Sequence, residues 1–295
     1  MFDMNAVVET HTIADSCLLA VLERQRLSTS RRADKYTEER IRQQEGDDSI
    51  TIRKHLFKSG PVRELLRILD SAYAEHKKMT APWIDRGPRL LPGVMFEKYA
   101  STMNEFKEMI DHLVPDIVRN WETLVQADMH ERQIHGAKHI SRDEYPHDMD
   151  VAGMFSIDWR VAPVPKDSDF RVQVPEYIKE KQRQSLQDAV EGVRRDLIQR
   201  MLEPVQRAVA KLSIEIGEKG SIFRDSLVEN LQDALDQAQE LNVTDDPKLA
   251  AAIQQMQVVV HGYIGSPDAL REQEGHRKQA VEKLSELAGM MQSQL

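Results

Sequence analysis

The densest gathering of chemically capable side chains is the run His130-Glu131-Arg132-Gln133-Ile134-His135, followed by His139, Asp143, Glu144, His147, Asp148 and Asp150. A zincin-type zinc helix needs two histidines four residues apart, about 400° round the axis and so nearly on one face. Here His130 and His135 are five apart, about 500° round, which carries the second ring off that face. His135 and His139 have the right interval, but Gly136 lies between them. The plain reading is a polar surface loop. A metal-dependent hydrolase at His130–Asp150 ranks last of three functional readings.

Other chemistries have less to stand on. Cys17 sits with Ile13, Leu18, Val21 and Leu22 at helical spacing and reads as a small core residue rather than a nucleophile. As the single cysteine it excludes a disulfide framework, which points to a reducing compartment. Gly217-Glu218-Lys219-Gly220-Ser221 lacks the spacing of a phosphate-cradling loop, and no Gly-x-Ser-x-Gly elbow occurs. No catalytic residue, cofactor or metal is expected. The best basic patch is Arg24, Arg26, Arg31, Arg32 and Lys35. It is the candidate nucleic-acid contact, although only Tyr36 could supply stacking and acidic residues follow at once. A solvated helix face, or a charge pair facing a partner, is the favoured reading of these residues.

The elements that must carry these residues are mostly helices. The chain is 30% charged and only 5% aromatic, which suits long helices with narrow apolar stripes. A net charge of −9 argues against non-specific nucleic-acid binding by the whole surface. The first residues lack a basic n-region, so no signal peptide is expected, and the run Cys17–Leu22 is too short for a membrane span. Apolar spacing predicts helices over 5–27, from Pro61 to Thr80, from Phe96 to about Gln133, from Pro175 to Ile216, and three more to the C-terminus, while the charged run 31–44 reads as a solvated helix. Pro115 and Pro204 predict kinks or breaks. Gly136 ends one helix, Ser221 is read as an N-cap, and Asp245 or Asp246 stands before Pro247 at another helix start. No strict heptad runs long enough for a parallel coiled-coil dimer.

Two stretches differ in texture. Thr80 to Gly93 holds three prolines and two glycines around Trp83, and reads as a structured loop. Phe155, Ile157, Trp159 and Val161 alternate with polar residues, and Phe170, Val172 and Val174 alternate again. That predicts a small β-ribbon at about 155–174. Trp83, Arg89, Tyr145, Pro146, Trp159 and Phe170 are the candidate structural anchors or partner contacts, since aromatics are enriched at interface hot spots.

These stretches also carry a resemblance. The segments Leu27–Lys35, Lys54–Phe57, Thr80–Gly87, Arg89–Pro92, Asp143–Pro146, Phe155, Pro163–Pro165 and Asp169–Val172 together resemble an uncharacterised family of bacteriophage and bacterial proteins, known only as a domain of unknown function. The resemblance covers roughly residues 27–174. It implies a helical protein without assigned catalytic residues, encoded near AAA+ ATPases of the MoxR or cobaltochelatase type and near von Willebrand A-domain proteins.

The expected architecture is therefore mainly α: an elongated helical bundle with long kinked helices and one small β-ribbon. Residues 1–174 form a body with the structured Trp/Pro loop, and residues 175–295 an antiparallel helical extension. The expected function is a non-enzymatic, cytoplasmic, phage-type adaptor whose partner is an AAA+ ATPase or a von Willebrand A-domain protein. The alternative is a nucleic-acid-associated protein using Arg24 to Lys35.

Overall fold

A central strand that the sequence disguises as a helix organises the β-structure. The computed structural model describes residues 13–33, 35–83, 87–137, 140–165, 175–243 and 246–295. Residues 13–16 are helical, but the chain then extends as strand β1, Cys17–Arg26, where a helix over 5–27 was expected. β1 sits between two others in a four-stranded sheet of order β4-β5-β1-β6, with β4 at Ala81–Pro82, β5 at Arg89–Pro92 and β6 at Phe155–Pro163. β1 and β5 are antiparallel, with Cys17 opposite Pro92 and Ala20 opposite Arg89. The apolar run Cys17–Leu22 is buried or half-buried on both faces of the strand, and periodicity cannot tell such a run from a buried helix segment.

The same pairing explains the Trp83 loop. Ala81 stands opposite Leu90 and Pro82 opposite Arg89, so this loop is the β4–β5 hairpin of the sheet. Pro82 lies on the outermost strand, where a missing N–H costs no ladder bond. β6 forms where alternation predicts it, with Phe155 and Ile157 buried. Its described neighbour is β1 rather than a second ribbon arm. Residues 166–174, Phe170 among them, lie outside the described residues.

The chain divides into two compact units, each built from separated segments: residues 1–21, 77–97 and 160–295 in the first, and 22–76 and 98–159 in the second. Strand β2 (Ser30–Arg32) of the second unit pairs antiparallel with β3 (Arg53–His55). Its helices are α1 (Lys35–Glu45), α2 (Gly60–Lys78), α3 (Phe96–Arg119), α4 (Trp121–Ile134) and the short α5 (Asp148–Val151), the ends of α2 and α3 falling in the first unit. Leu65, Leu66 and Leu69 of α2, Ile110 and Ile117 of α3, and Trp121 and Val125 of α4 close on Leu56, Phe57, Tyr145 and Phe155. Each fully buried aliphatic side chain here contributes about 1.5–3 kcal/mol. Pro115 lies inside α3, and the helix continues through it to Arg119 before breaking at Asn120. Pro115 and Asp111 are both exposed, so the carbonyl that loses its partner lies on the solvated side.

The first unit holds α6 (Glu176–Leu212), α7 (Ser226–Leu241), α8 (Pro247–Val259), a π-helical turn at Val260–Ile264, α9 (Pro267–Glu272) and α10 (Glu274–Gln292). α6 runs through Pro204 and buries Val193, Leu197, Met201 and Val205; α7 and α10 pack along it. Asp246 caps α8 by accepting from the N–H groups of Lys248 and Leu249. Ser221 is not a cap, because the next helix starts at Ser226 after Asp225. Its carbonyl instead serves Arg277, which is 4% exposed and also donates to the carbonyls of Leu212 and Lys211. The guanidinium thereby closes the C-terminus of α6, where a cation is favoured. Among the described residues no helix is long and apolar enough to cross a membrane.

Two outcomes are expected. Burial pushes the Cys17 thiol up to about 11, so it stays protonated at neutral pH; a thiol reagent at about pH 8 reacts with it only after denaturation. Arg277→Met leaves buried carbonyls unpaired and lowers stability by on the order of 2–4 kcal/mol in a denaturant titration.

Candidate anion-binding cleft

The turn that leads from β3 into α2 is set by one buried acid. Phe57 has φ of +50°, a left-handed backbone that non-glycine residues rarely adopt. Its N–H donates at 2.9 Å to Asp128 of α4, a carboxylate only 7% exposed. The other Asp128 oxygen accepts from the Tyr145 hydroxyl at 2.5 Å. Burial and that hydrogen bond push the Tyr145 hydroxyl well above the ordinary tyrosine range, so it stays a donor. Arg132, one turn beyond Asp128, donates to the Tyr145 hydroxyl at 2.8 Å and pairs with Glu144 at 2.8 Å. Burial disfavours its charge, but these two partners outweigh it and keep the guanidinium above its ordinary value. Glu144 also pairs with Lys54 at 3.0 Å, and Arg31 donates to the Glu144 carbonyl at 3.0 Å.

In front of this network lies an open cleft of about 880 Å³. Helix α1 contributes Tyr36, Thr37 and Arg40; β3 and its turn contribute Arg53, Lys54, His55 and Lys58; the end of α4 contributes Arg132 and His135. No carboxylate is among the described lining residues. Gly136, with φ of +86°, takes the left-handed turn that stops α4 here, and Ala137 N–H returns to the Arg132 carbonyl at 3.0 Å. Lys54 and Arg132 share Glu144, whereas Arg40, Arg53 and Lys58 form no ion pair among the described residues. The cleft therefore concentrates positive charge on a chain whose net charge is −9. Arginine offers planar, bidentate donors to phosphate or carboxylate, and lysine a point charge.

The basic patch read from the sequence lies elsewhere and is largely paired within the chain. Arg24 and Arg26 both reach Asp70, at 2.9 Å and 2.8 Å, and Arg24 also lies over the Tyr73 ring. Arg32 grips the buried Glu38 at 2.8 Å, and Arg31 serves backbone carbonyls. Lys35 is exposed at the start of α1. These arginines occupy strands, not one helix face, so they do not form a continuous cationic stripe.

The anchor candidates are placed as follows. Trp83 is buried just after β4. Arg89 ties its own hairpin by donating to the Thr80 hydroxyl and carbonyl. The Pro146 carbonyl accepts from the Trp121 indole at 3.1 Å and from Arg142 at 3.0 Å. The Trp159 indole donates to Asn104 at 3.0 Å and its ring stands edge-on to Tyr99. These contacts are internal to the fold. In the His130–Asp150 segment Glu144 serves Arg132 and Lys54, and Asp148 serves Arg142. No group of three His, Cys, Asp or Glu side chains that could hold a metal occurs among the described residues, and His139 lies outside them.

Comparison with protein-family models, with curated proteins and with solved structures finds no match. Sequence reading missed Arg40, Arg53, Lys58 and His135 as a group because they are scattered along the chain. The one local signal was the run Arg53-Lys54-His55 with Lys58.

The Arg32–Glu38 pair beside the cleft makes a pH prediction. Hydrogen bonds from Arg32 hold the Glu38 carboxyl below its ordinary value near 4.5, against an opposing cost of burial. A depressed folded-state value stabilises fully above about pH 4.5 and drains as pH falls through it. The melting temperature is expected to fall on acidification below that point. Arg32→Ala should start lower at neutral pH and lose less with acid.

Proposed function

We propose that the chain is a non-enzymatic binding protein that takes a polyanion in the cleft between α1, β3 and the end of α4. The observation that carries this reading is the gathering of Arg40, Arg53, Lys54, Lys58 and Arg132 around one concavity with no described carboxylate in its lining. Locally focused charge attracts a polyanion even on an acidic chain, and the attraction weakens with salt. This moves the nucleic-acid reading from the Arg24–Lys35 patch, whose arginines have partners, to residues further along.

Fluorescence anisotropy with a labelled oligonucleotide, and retention on heparin, test the reading. Arg53→Glu with Lys58→Glu should weaken binding by about tenfold or more and flatten its salt dependence. Lys181→Glu, on the exposed face of α6, serves as the control and should leave binding unchanged. Equal affinity in both variants would overturn the assignment.

A second reading keeps the adaptor role. Its support is the resemblance of residues 27–174 to the phage and bacterial family, which implies an AAA+ ATPase or a von Willebrand A-domain protein as partner in a cytoplasmic setting. A tagged pull-down with and without ATP distinguishes it: recovery of such a protein, changed by ATP, favours the adaptor.

A further inference from the structure

We infer that the polyanion is single-stranded nucleic acid, held with a base stacked on Tyr36. This rests on the polyanion reading and adds the chemistry that separates nucleic acid from other polyanions. Tyr36 is 68% exposed and lines the cleft from the first turn of α1. Arg40 follows it by four residues, so ring and guanidinium share one helix face. An aromatic face beside cations, in a recess that tracks a charged backbone, is how sequence-tolerant single-strand sites are built. Arg53 and His55 line the same cleft from β3, where they are two apart and so lie on the same side of the strand. Cations from α1 and from β3 thus line the same cleft as the ring.

The strandedness follows from access. In a duplex the bases are stacked inside, and a ring reaches one only if it is flipped out at the cost of unstacking. A single strand offers its π-faces at no such cost, and its flexible backbone can follow an 880 Å³ cleft. An acidic protein segment would use the same cations but would have no need of Tyr36.

The experiment uses the full chain and four probes: labelled oligo-dT, labelled oligo-rU, a duplex of equal length, and inorganic polyphosphate. Tyr36→Ala should weaken both single strands by about tenfold, while Tyr36→Phe, which keeps the ring, binds as the parent does. Polyphosphate binding should be the same in all three proteins, and the duplex should bind more weakly than either single strand. If Tyr36→Ala leaves the single strands unaffected, or if the duplex binds as tightly, stacking is overturned and the polyanion reading stands alone. If neither polyphosphate nor any oligonucleotide binds the parent protein, both readings fall together.

Discussion

The second unit depends on the buried carboxylate of Asp128. An ionised carboxylate out of water costs several kcal/mol unless donors replace its hydration. Asp128 obtains them from the Phe57 N–H and the Tyr145 hydroxyl. Those two bonds tie α4 to the turn after β3 and to the segment that follows α4. The left-handed backbone at Phe57 costs about 1–3 kcal/mol in isolation, and it persists because Asp128 rewards that orientation of the N–H. The Phe57 ring then packs on both Trp121 and Tyr145. One acid therefore fixes where β3 ends and where Arg132 and Tyr145 meet.

The cleft is a by-product of that arrangement with its charges partly discharged from behind. Glu144 holds both Lys54 and Arg132, which keeps two cations in place while cancelling part of their field. Arg40, Arg53 and Lys58 add charge to a cleft whose described lining holds no carboxylate. The opposite holds for Arg24, Arg26 and Arg32, whose charges end on Asp70 and Glu38. The first group faces a concavity and the second faces acids of the same unit. Side chains of one chemical type thus serve recognition or cohesion according to what the fold sets opposite them.

The helical unit solves a different problem. Its long α6 must end inside packed structure, where the last carbonyls have no helical partner. Arg277 of α10 reaches across and takes the carbonyls of Lys211, Leu212 and Ser221. A buried guanidinium with several carbonyl acceptors satisfies its own donors and theirs at once. Apolar contact along α6, α7 and α10 supplies the stabilisation, and this cap specifies where α6 stops.

Most helices were legible from the sequence, since apolar spacing, Gly136, Asp246 and Pro247 act within a turn or two of chain. The strand at Phe155 was legible because one buried face imposes a period of two. By itself the sequence thus determined a mainly helical chain, most of its helix positions and the composition of its surfaces. It misread Cys17–Arg26, whose first six residues are apolar and covered on both faces, so that the alternation that marks a strand is lost. Ser221 was misread for a related reason: its role is set by Arg277, 56 residues away. Only the tertiary structure decided which cations are paired and which are displayed, because Arg40, Arg53 and Lys58 become neighbours of Arg132 through pairings such as Phe57 with Asp128, 71 residues apart. Charge pairing acts through space, and sequence distance carries little information about it.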